Sequence, residues 1–557
     1  VLNPDPKMDK NQIVALILCL LVLVAYPFIL KKFSPATTNQ LTQETIVPRA
    51  FEAQEAGKIN PSTGELALSS QNAFEKIKPL PQAKVFSFEN DVYEAEFTTK
   101  GAKLTKLLYK GNDQFKNQIR MSLVDQDADG VGLFGLKFLH DDIDLSNVVF
   151  EVKSEMGDKV SFYFNKPGQY EITKTFILSG TDSIIGLDVL LKNTSGYEKH
   201  FPMVISYSLE DKDLNKANQV YFEAIAWTEK AISSKAGKVK KKGMHISEGV
   251  EWAGFAKKYF TLLVKPEGKA IALDVTGNDH YMAAELTMEP LTLASDQEIK
   301  KEFFIYAGPQ RYEFLKSFGV GFENILSRGF FGALKIGVLK ALKFSHQYTH
   351  NFGWDILILT LLIKLLFAPL THMSYNSMEK MKQLQPKQKA LQDKHKSDPQ
   401  KLNKEMMELY KKHKVNPMGG CLPMLLQIPV FIAFYQVLGE TIELRGAPFI
   451  GWITDLSQPD SLFRFSTDIF LIGNSFNLLP LLMMASMVIQ QKMTPQSGMA
   501  SEQQKMMALM PIFFGFIFYK MPSGLVLYWF TSNILSILQQ MYVRSKHTAP
   551  PPEPEVE

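Results

Sequence analysis

Lys364 stands inside "LILTLLIKLLFAPLTHM" (357–373), a run otherwise apolar enough to cross a bilayer. A charge at bilayer depth costs roughly 2.5–3.5 kcal/mol on insertion scales, so its presence asks for a compensating environment. Snorkelling toward the headgroups is the ordinary alternative. The polar end of the run at Thr371–His372 is about seven or eight residues away, or roughly 11 Å of helix, and a lysine stem covers only part of that distance. The expectation is a lysine that faces water or protein inside the membrane. Thr360, at i−4, lies on the same helical face. Other chemistry is poorly represented. There is no GxxxxGK[ST] phosphate loop, no HExxH zinc motif and no GxSxG nucleophile elbow, which counts against an ATPase, a metalloprotease or a lipase. Cys19 and Cys421 both sit in or beside apolar runs, with neither disulfide nor metal-ligand spacing. No cofactor, no metal and no enzymatic activity are expected.

The elements that must position Lys364 follow from composition. At 557 residues the chain calls for two or more units. The run 13–30 is long enough to cross a bilayer once. Its far end carries Pro27, Phe28 and Lys31–Lys32 in place of a small-residue cleavage site, so 1–32 is expected to be a retained anchor rather than a cleaved signal peptide. Residues 33–83, rich in Thr, Gln, Ser and Glu, suit a flexible linker. From 84 to 323, short segments such as "VYEAEF", "YEITKTFIL" and "SIIGLDVLLKN" are separated by turn residues at Asn90-Asp91, Gly157-Asp158 and Asn193–Gly196, which predicts a large β-sandwich domain. Residues 324–348 mix apolar residues with Lys335, Lys340 and Lys343, the pattern of a basic amphipathic helix in the membrane interface. A packed surface helix is the competing reading. Five apolar runs follow within 349–545, over roughly 352–371, 420–438, 469–490, 506–520 and 523–541. A polar tail occupies 546–557.

Between the first two runs lies 372–419, with eleven lysines against five acidic residues, a net charge of +6. Asp398-Pro399 marks a helix start within it, and Met378, Met381, Leu384, Leu402, Met406 and Leu409 could form the seam of a two-helix hairpin. A short basic loop stays cytoplasmic. The hairpin is then inside, the β-sandwich domain outside and the N-terminus inside. The loop 439–468, with two basic and five acidic residues, fits the outer side.

Three stretches carry a resemblance: "KVNPMGGCLPMLLQIPVFIAFY" (414–435), "FAPLTHMSYNSMEKMKQLQPK" (367–387) and "MPSGLVLYWFTSNILSILQQ" (521–540). They resemble the YidC/Oxa/Albino family of membrane protein insertases, over about 344–545. The anchor followed by a large periplasmic β-sandwich is similar to the Gram-negative form. The resemblance implies a multi-pass α-helical protein of the bacterial inner membrane, with a five-helix core enclosing a hydrophilic groove. One positive charge in that groove matches Lys364. The family pattern expected here has arginine, and lysine keeps the charge but loses the planar five-donor fork. The implied partners are nascent inner-membrane proteins, the Sec translocon, the lipid bilayer and, through the basic loop 372–419, the ribosome, whose RNA phosphates would attract lysines. Groove positions would include Thr360, Gln427, Ser532 and Asn533, with Gln490 and Gln491 also candidates; helix-to-helix hydrogen bonding is the alternative for such residues. Tyr528 and Trp529 match substrate-contact positions of the family, and Ile428, Pro429 and Phe431 are candidates for the same role or for plain core packing.

Two other function classes compete. A membrane-anchored carbohydrate-active or carbohydrate-binding protein would use the outer domain, whose His140, His200, His245 and His280 would have to meet a carboxylate in one cleft. A transporter would bind an anion at Lys364, but it predicts inverted repeats, and none is evident.

Overall fold

Period-two burial builds the first part of the chain. In the strand Tyr170–Leu178 alternate residues are buried and those between are half-buried; Ile184–Asn193 and Tyr281–Met288 repeat the pattern. Aromatic and β-branched side chains on the inner face remove apolar surface from water, which favours this pleated arrangement. The structure, a computed structural model, describes residues 83–546 apart from 111–120, 126–131, 140, 142–143, 181–182, 211–220, 248, 328–330, 396–397, 414, 416–421, 470–472 and 494–500. The expected anchor over 1–32, the linker as far as residue 82 and the tail beyond 546 lie outside the described residues, as does His140.

A nine-stranded sheet runs in the order Ala231–Lys235, Glu223–Trp227, Trp252–Ala256, Phe260–Pro266, Glu298–Pro309, Ile184–Asn193, Tyr170–Leu178, Lys159–Lys166, Glu151–Met156. A five-stranded sheet, centred on Tyr281–Met288 and Met203–Glu210, contributes Ile205, Tyr207 and Leu286 to the same core as Phe162, Phe176 and Leu187 of the larger sheet. The two inner faces make a β-sandwich. Expected turns are present: Asn90 Oδ1 accepts from the backbone N–H of Val92 at 2.9 Å and of Tyr93 at 2.7 Å. Asn193 Nδ2 donates to the carbonyls of Tyr197 and Leu293 at 2.8 and 2.9 Å.

The helices in chain order are α1 (Ala236–Lys242), α2 (Tyr312–Ser317), α3 (Gly332–Thr349), α4 (Phe352–Gln383), α5 (Gln385–Lys394), α6 (Pro399–Lys412), α7 (Leu422–Glu440), α8 (Leu478–Met493), α9 (Ser501–Phe518) and α10 (Ser523–Lys546). α4 is about 48 Å long at 1.5 Å per residue, and the Asn351 side chain caps its start by accepting from Gly353 and Trp354. It is long and apolar enough to cross a membrane; α8 and parts of α7 and α9 are shorter apolar helices. Val338, Ile356, Phe434, Leu438, Met483, Phe518 and Leu525 join α3, α4, α7, α8, α9 and α10 in a second core.

Several details depart from expectation. The apolar run from 469 opens as a β-hairpin, Phe463–Ile469 with Gly473–Phe476, and α8 starts only at Leu478. Asp460 Oδ2 accepts from the N–H of Leu479 at 2.9 Å and from Trp452 Nε1 at 2.9 Å, which fixes that start. The expected amphipathic helix starts at 332 rather than 324, because Phe322 and Ile325 form a buried 3₁₀ turn against Trp252 and Tyr306 of the large sheet. Its lysines face protein: Lys335 pairs with Glu440, Lys343 Nζ lies 2.6 Å from Glu443 Oε1, and Lys340 sits over the Tyr312 ring. In the basic hairpin Asp398 caps α6 by accepting from Lys401 N at 3.0 Å. Its seam joins Met381, Leu384 and Met406 to Tyr410, with Leu409 half-buried, while Met378 packs against Val543 of α10.

The sandwich and the helices meet closely. Ile442, just past α7, is buried in the sandwich core. A Cβ on Gly439 would lie 2.8 Å from the Tyr221 hydroxyl, so a larger residue there would push that ring tip aside.

Lys174 takes an inward position on its strand and is fully buried, with Nζ donating to the carbonyls of Gly101 (3.2 Å), Ala102 (2.6 Å) and Phe134 (2.6 Å). Burial, helped by neighbouring Lys103, pushes its ammonium down to about 7. An unfolded chain keeps that proton to about 10.4. Between these values the unfolded state binds more protons, so this group makes folding more stable as pH rises through the window. Thermal melts of the full chain should show that rise from pH 7 to pH 9. Lys174→Met should lose it and, at pH 9, cost about 2 kcal/mol for stranded carbonyls; an unchanged pH slope in the variant would refute the assignment.

Candidate functional site

Three helices bring polar side chains to Lys364. On α4, Thr360 and Lys364 share one face; Thr360 is 1% exposed and donates to the Ile356 carbonyl at 2.6 Å, the usual outlet for a buried threonine in a helix. On α10, Ser532 and Ser536 are one turn apart, and Ser536 Oγ donates to the Ser532 carbonyl at 2.9 Å. Lys364 Nζ donates to Ser536 Oγ at 2.7 Å. From α7, Gln427 Nε2 donates to Ser532 Oγ at 2.7 Å. Seven residues beyond Lys364, Thr371 Oγ1 accepts from Gln539 Nε2 at 2.8 Å, and the same amide reaches the Ala368 carbonyl at 3.2 Å.

Thr360, Lys364, Thr371, Gln427 and Ser532 border a narrow cleft with about 20 Å³ open to water, whose remaining walls are mainly apolar: Ile363, Phe367, Leu426 and Val430. Pro423 also lines it, and Pro429 lies within α7. Among the described residues no carboxylate pairs with Lys364. Lys335 and Lys343 of α3 pair with Glu440 and Glu443, whereas Lys364 is answered by a hydroxyl. Such a site attracts a carboxylate or another anion; no group of three or more His, Cys, Asp or Glu able to hold a metal occurs among the described residues.

Of the residues expected at a groove, Thr360, Lys364, Gln427 and Ser532 line the cleft, and Tyr528 joins them. Asn533 does not. It turns to α8, where its Nδ2 donates to Ser486 Oγ at 3.0 Å, with both residues buried. Gln490 and Gln491 are half-buried on α8, outside the cleft lining. Tyr528 is 2% exposed and stacks on Phe434 with ring centroids 4.3 Å apart. Phe431 and Trp529 meet edge-on at 4.9 Å and pack with Phe514 and Phe518. Ile428 and Pro429 are half-buried and do not line the cleft. Ser536, Thr371 and Gln539 escaped the sequence reading, although Ser536 stands four residues after Ser532, the spacing that shares a helical face.

Among the described residues, the histidines of the sandwich do not converge. His200 Nδ1 is 2.7 Å from Thr292 Oγ1 on a two-stranded sheet. His245 pairs across strands with Asp274 at 2.6 Å on an exposed face of the five-stranded sheet. His280 is exposed.

Two family models match the chain. One is described as 60Kd inner membrane protein, over residues 344–550; the other as YidC periplasmic domain, over residues 86–367. Relatives named membrane protein insertase YidC include that of Geotalea daltonii, 35% identical over 549 residues, covering 96% of this chain and 99% of the relative. That of Geobacter sulfurreducens is 36% identical over 475 residues, covering 83% and 86%. A crystal structure of an active YidC insertase with its first transmembrane domain resolved aligns over 83% of this chain and 92% of that chain, at 17% identity and a TM-score of 0.35. That score is too low to carry a structural conclusion.

The cleft should admit water while the Asn533 side of α10 stays dry. With Cys19 and Cys421 replaced by serine, Gln427→Cys should react with a charged maleimide about tenfold faster than Asn533→Cys, since thiol labelling follows exposure. Equal protection at both positions would show a closed cleft.

Proposed function

The chain belongs to the YidC family of membrane protein insertases, and from that premise we propose that Lys364 draws the acidic tail of a client protein into a hydrated cleft within the membrane. The protein is a membrane protein insertase of the bacterial inner membrane with a periplasmic sheet-rich domain, and its substrates are nascent membrane proteins. The observation that carries the proposal is the Lys364–Ser536 contact in a polar-sided cleft, with no carboxylate to neutralise the charge.

On this reading α4, α7, α8, α9 and α10 cross the bilayer. The exposed apolar flank of α4, Leu361, Leu362, Leu365 and Leu366, supports it, because water would be a poor neighbour for so continuous a patch. α8, with 16 residues, is about 24 Å long against a hydrocarbon thickness of about 30 Å, so the bilayer thins around it. The charge of the 372–419 hairpin, +6, supports a cytoplasmic placement, with the sandwich across the membrane and the N-terminus inside. Ribosomal RNA is a fitting partner for that basic surface, and cooperation with a Sec translocon is consistent with family membership.

The energetics are of the right size. Two opposite charges about 4 Å apart attract by about 4 kcal/mol at an effective dielectric constant near 20. An aspartate at the centre of a membrane helix costs about 2.5–3.5 kcal/mol on insertion scales. One contact with Lys364 is therefore as large as the cost of bringing one acidic residue into the membrane. Once the tail has crossed, transfer of the client's apolar helix into lipid supplies the driving force, aided by the membrane potential on the charged tail. The insertase itself needs no nucleotide.

Insertion of a single-span client with an acidic tail into liposomes holding only this protein tests the mechanism. Lys364→Ala should lower protected client about tenfold or more, in line with loss of a several-kcal/mol attraction, while Lys364→Arg stays near wild type. A client with a neutral tail should respond little to either change. Wild-type insertion by Lys364→Ala would rule out the electrostatic role.

A further inference from the structure

We propose that a second cleft, between the sandwich and the last turns of α7, holds the headgroup of an anionic phospholipid. It rests on the reading that α7 crosses the bilayer. The cleft encloses about 1210 Å³, its mouth included, and four lysines and two glutamates line it. Two lysines are committed elsewhere: Lys335 pairs with Glu440, and Lys257 Nζ donates to the Glu210 backbone carbonyl. Lys235 and Lys258 remain. Lys235 is exposed at the end of its strand, and Lys258 is half-buried, held over the rings of Tyr221 and Tyr259 at 5.8 and 5.0 Å. Among the described residues neither pairs with a carboxylate. The same cleft has an apolar part lined by Ile325, Leu326 and Ile432.

That combination suits an amphiphile: a phosphodiester between two lysines, with a chain against the apolar floor. Its position favours lipid over a client tail. Ile432, Tyr435 and Gln436 stand on the side of α7 roughly opposite Leu426, Gln427 and Val430, which face the Lys364 cleft, as 100° per residue requires. A client guided by Lys364 travels along the other face. Ile432, Tyr435 and Gln436 belong to the last turns before Glu440, so in a spanning α7 the mouth lies at headgroup depth on the side of the sandwich. Each lysine near a membrane surface strengthens attraction to anionic lipid.

The test uses the full-length protein in nanodiscs of phosphatidylcholine with a minor fraction of phosphatidylglycerol, released into native mass spectrometry without any client. Phosphatidylglycerol should be retained about tenfold over its bulk share. Lys235→Gln with Lys258→Gln together should bring retention down to the bulk share, and Lys364→Gln should leave it unchanged. A melting temperature equal to wild type shows that the double variant is folded; if it is not, Ile432→Glu, which charges the floor and spares both lysines, must lower retention in its place. Added inorganic phosphate should fail to displace the lipid, whereas displacement by phosphate would overturn the lipid assignment in favour of a free anion. Displacement by an acidic client peptide would overturn it in favour of a client path. Equal retention of the two lipids, or a folded double variant that retains as wild type, would also overturn it. Because lipid retention is read without insertion, any of these failures stands apart from the outcome of the Lys364 insertion assay.

Discussion

A half-buried ammonium answered by a hydroxyl instead of a carboxylate is the constraint around which the helical half is arranged. Charging Lys364 in dry apolar surroundings would cost several kcal/mol. The bundle meets that cost with polar groups from separate helices: Ser536 and Ser532 on α10 and Gln427 on α7. Each is itself satisfied, Ser536 through the Ser532 carbonyl and Ser532 through Gln427. A network so closed leaves few polar atoms stranded, which is what makes a polar face tolerable inside an apolar bundle. The apolar walls of the cleft belong to α4 and α7, so each of these helices carries both kinds of surface.

α7 ties this face to the rest of the protein. One side of it lines the Lys364 cleft, its middle packs Phe434 and Leu438 into the helical core, and its end meets the sandwich. Gly439 lets Tyr221 approach, and Ile442 enters the sandwich core directly after the helix. α3 completes the connection through Lys335–Glu440 and Lys343–Glu443. Burying the Lys335 pair costs desolvation that the attraction must offset. Removing one partner would leave the other charged and buried, so such a pair fixes geometry more surely than it adds stability. The sandwich is thus joined to the helical core through packed contacts, and not only through a linker.

Much of this was legible in the sequence, and the failures have physical causes. Lys364 stands out because a charge within an apolar run is costly. Thr360 follows from the i−4 spacing. Ser532 and Asn533 are adjacent, so on a helix they point about 100° apart, and here Ser532 turns to the cleft and Asn533 to α8; Ser536, one turn after Ser532, follows from the same period. The hairpin before α8 escaped because a short apolar run does not distinguish strand from helix. Its turn includes Gly473, with φ at +81°, a conformation few side chains adopt. The lysines of α3 looked like a membrane-facing stripe because their acidic partners lie about a hundred residues later, beyond any local pattern. Lys174 was invisible as a core residue for a similar reason: the three carbonyls that hold it belong to distant turns.

The choice of a hydroxyl partner for Lys364 bears on the proposed mechanism. An ammonium has three donors, and Ser536 takes one. The other two remain for water or a carboxylate. Had an aspartate stood at 536, the lysine would arrive neutralised, and a client carboxylate would have to displace an intramolecular ion pair. Had an apolar residue stood there, the ammonium would lack a protein acceptor. A hydroxyl lies between these limits: it gives the ammonium one acceptor and competes weakly when an acidic tail arrives. The same moderation serves release, because a client must leave the cleft. A point charge that binds one carboxylate oxygen at a time gives it up more readily than a planar fork that grips both. Lysine in this position thus favours rapid exchange over tight capture.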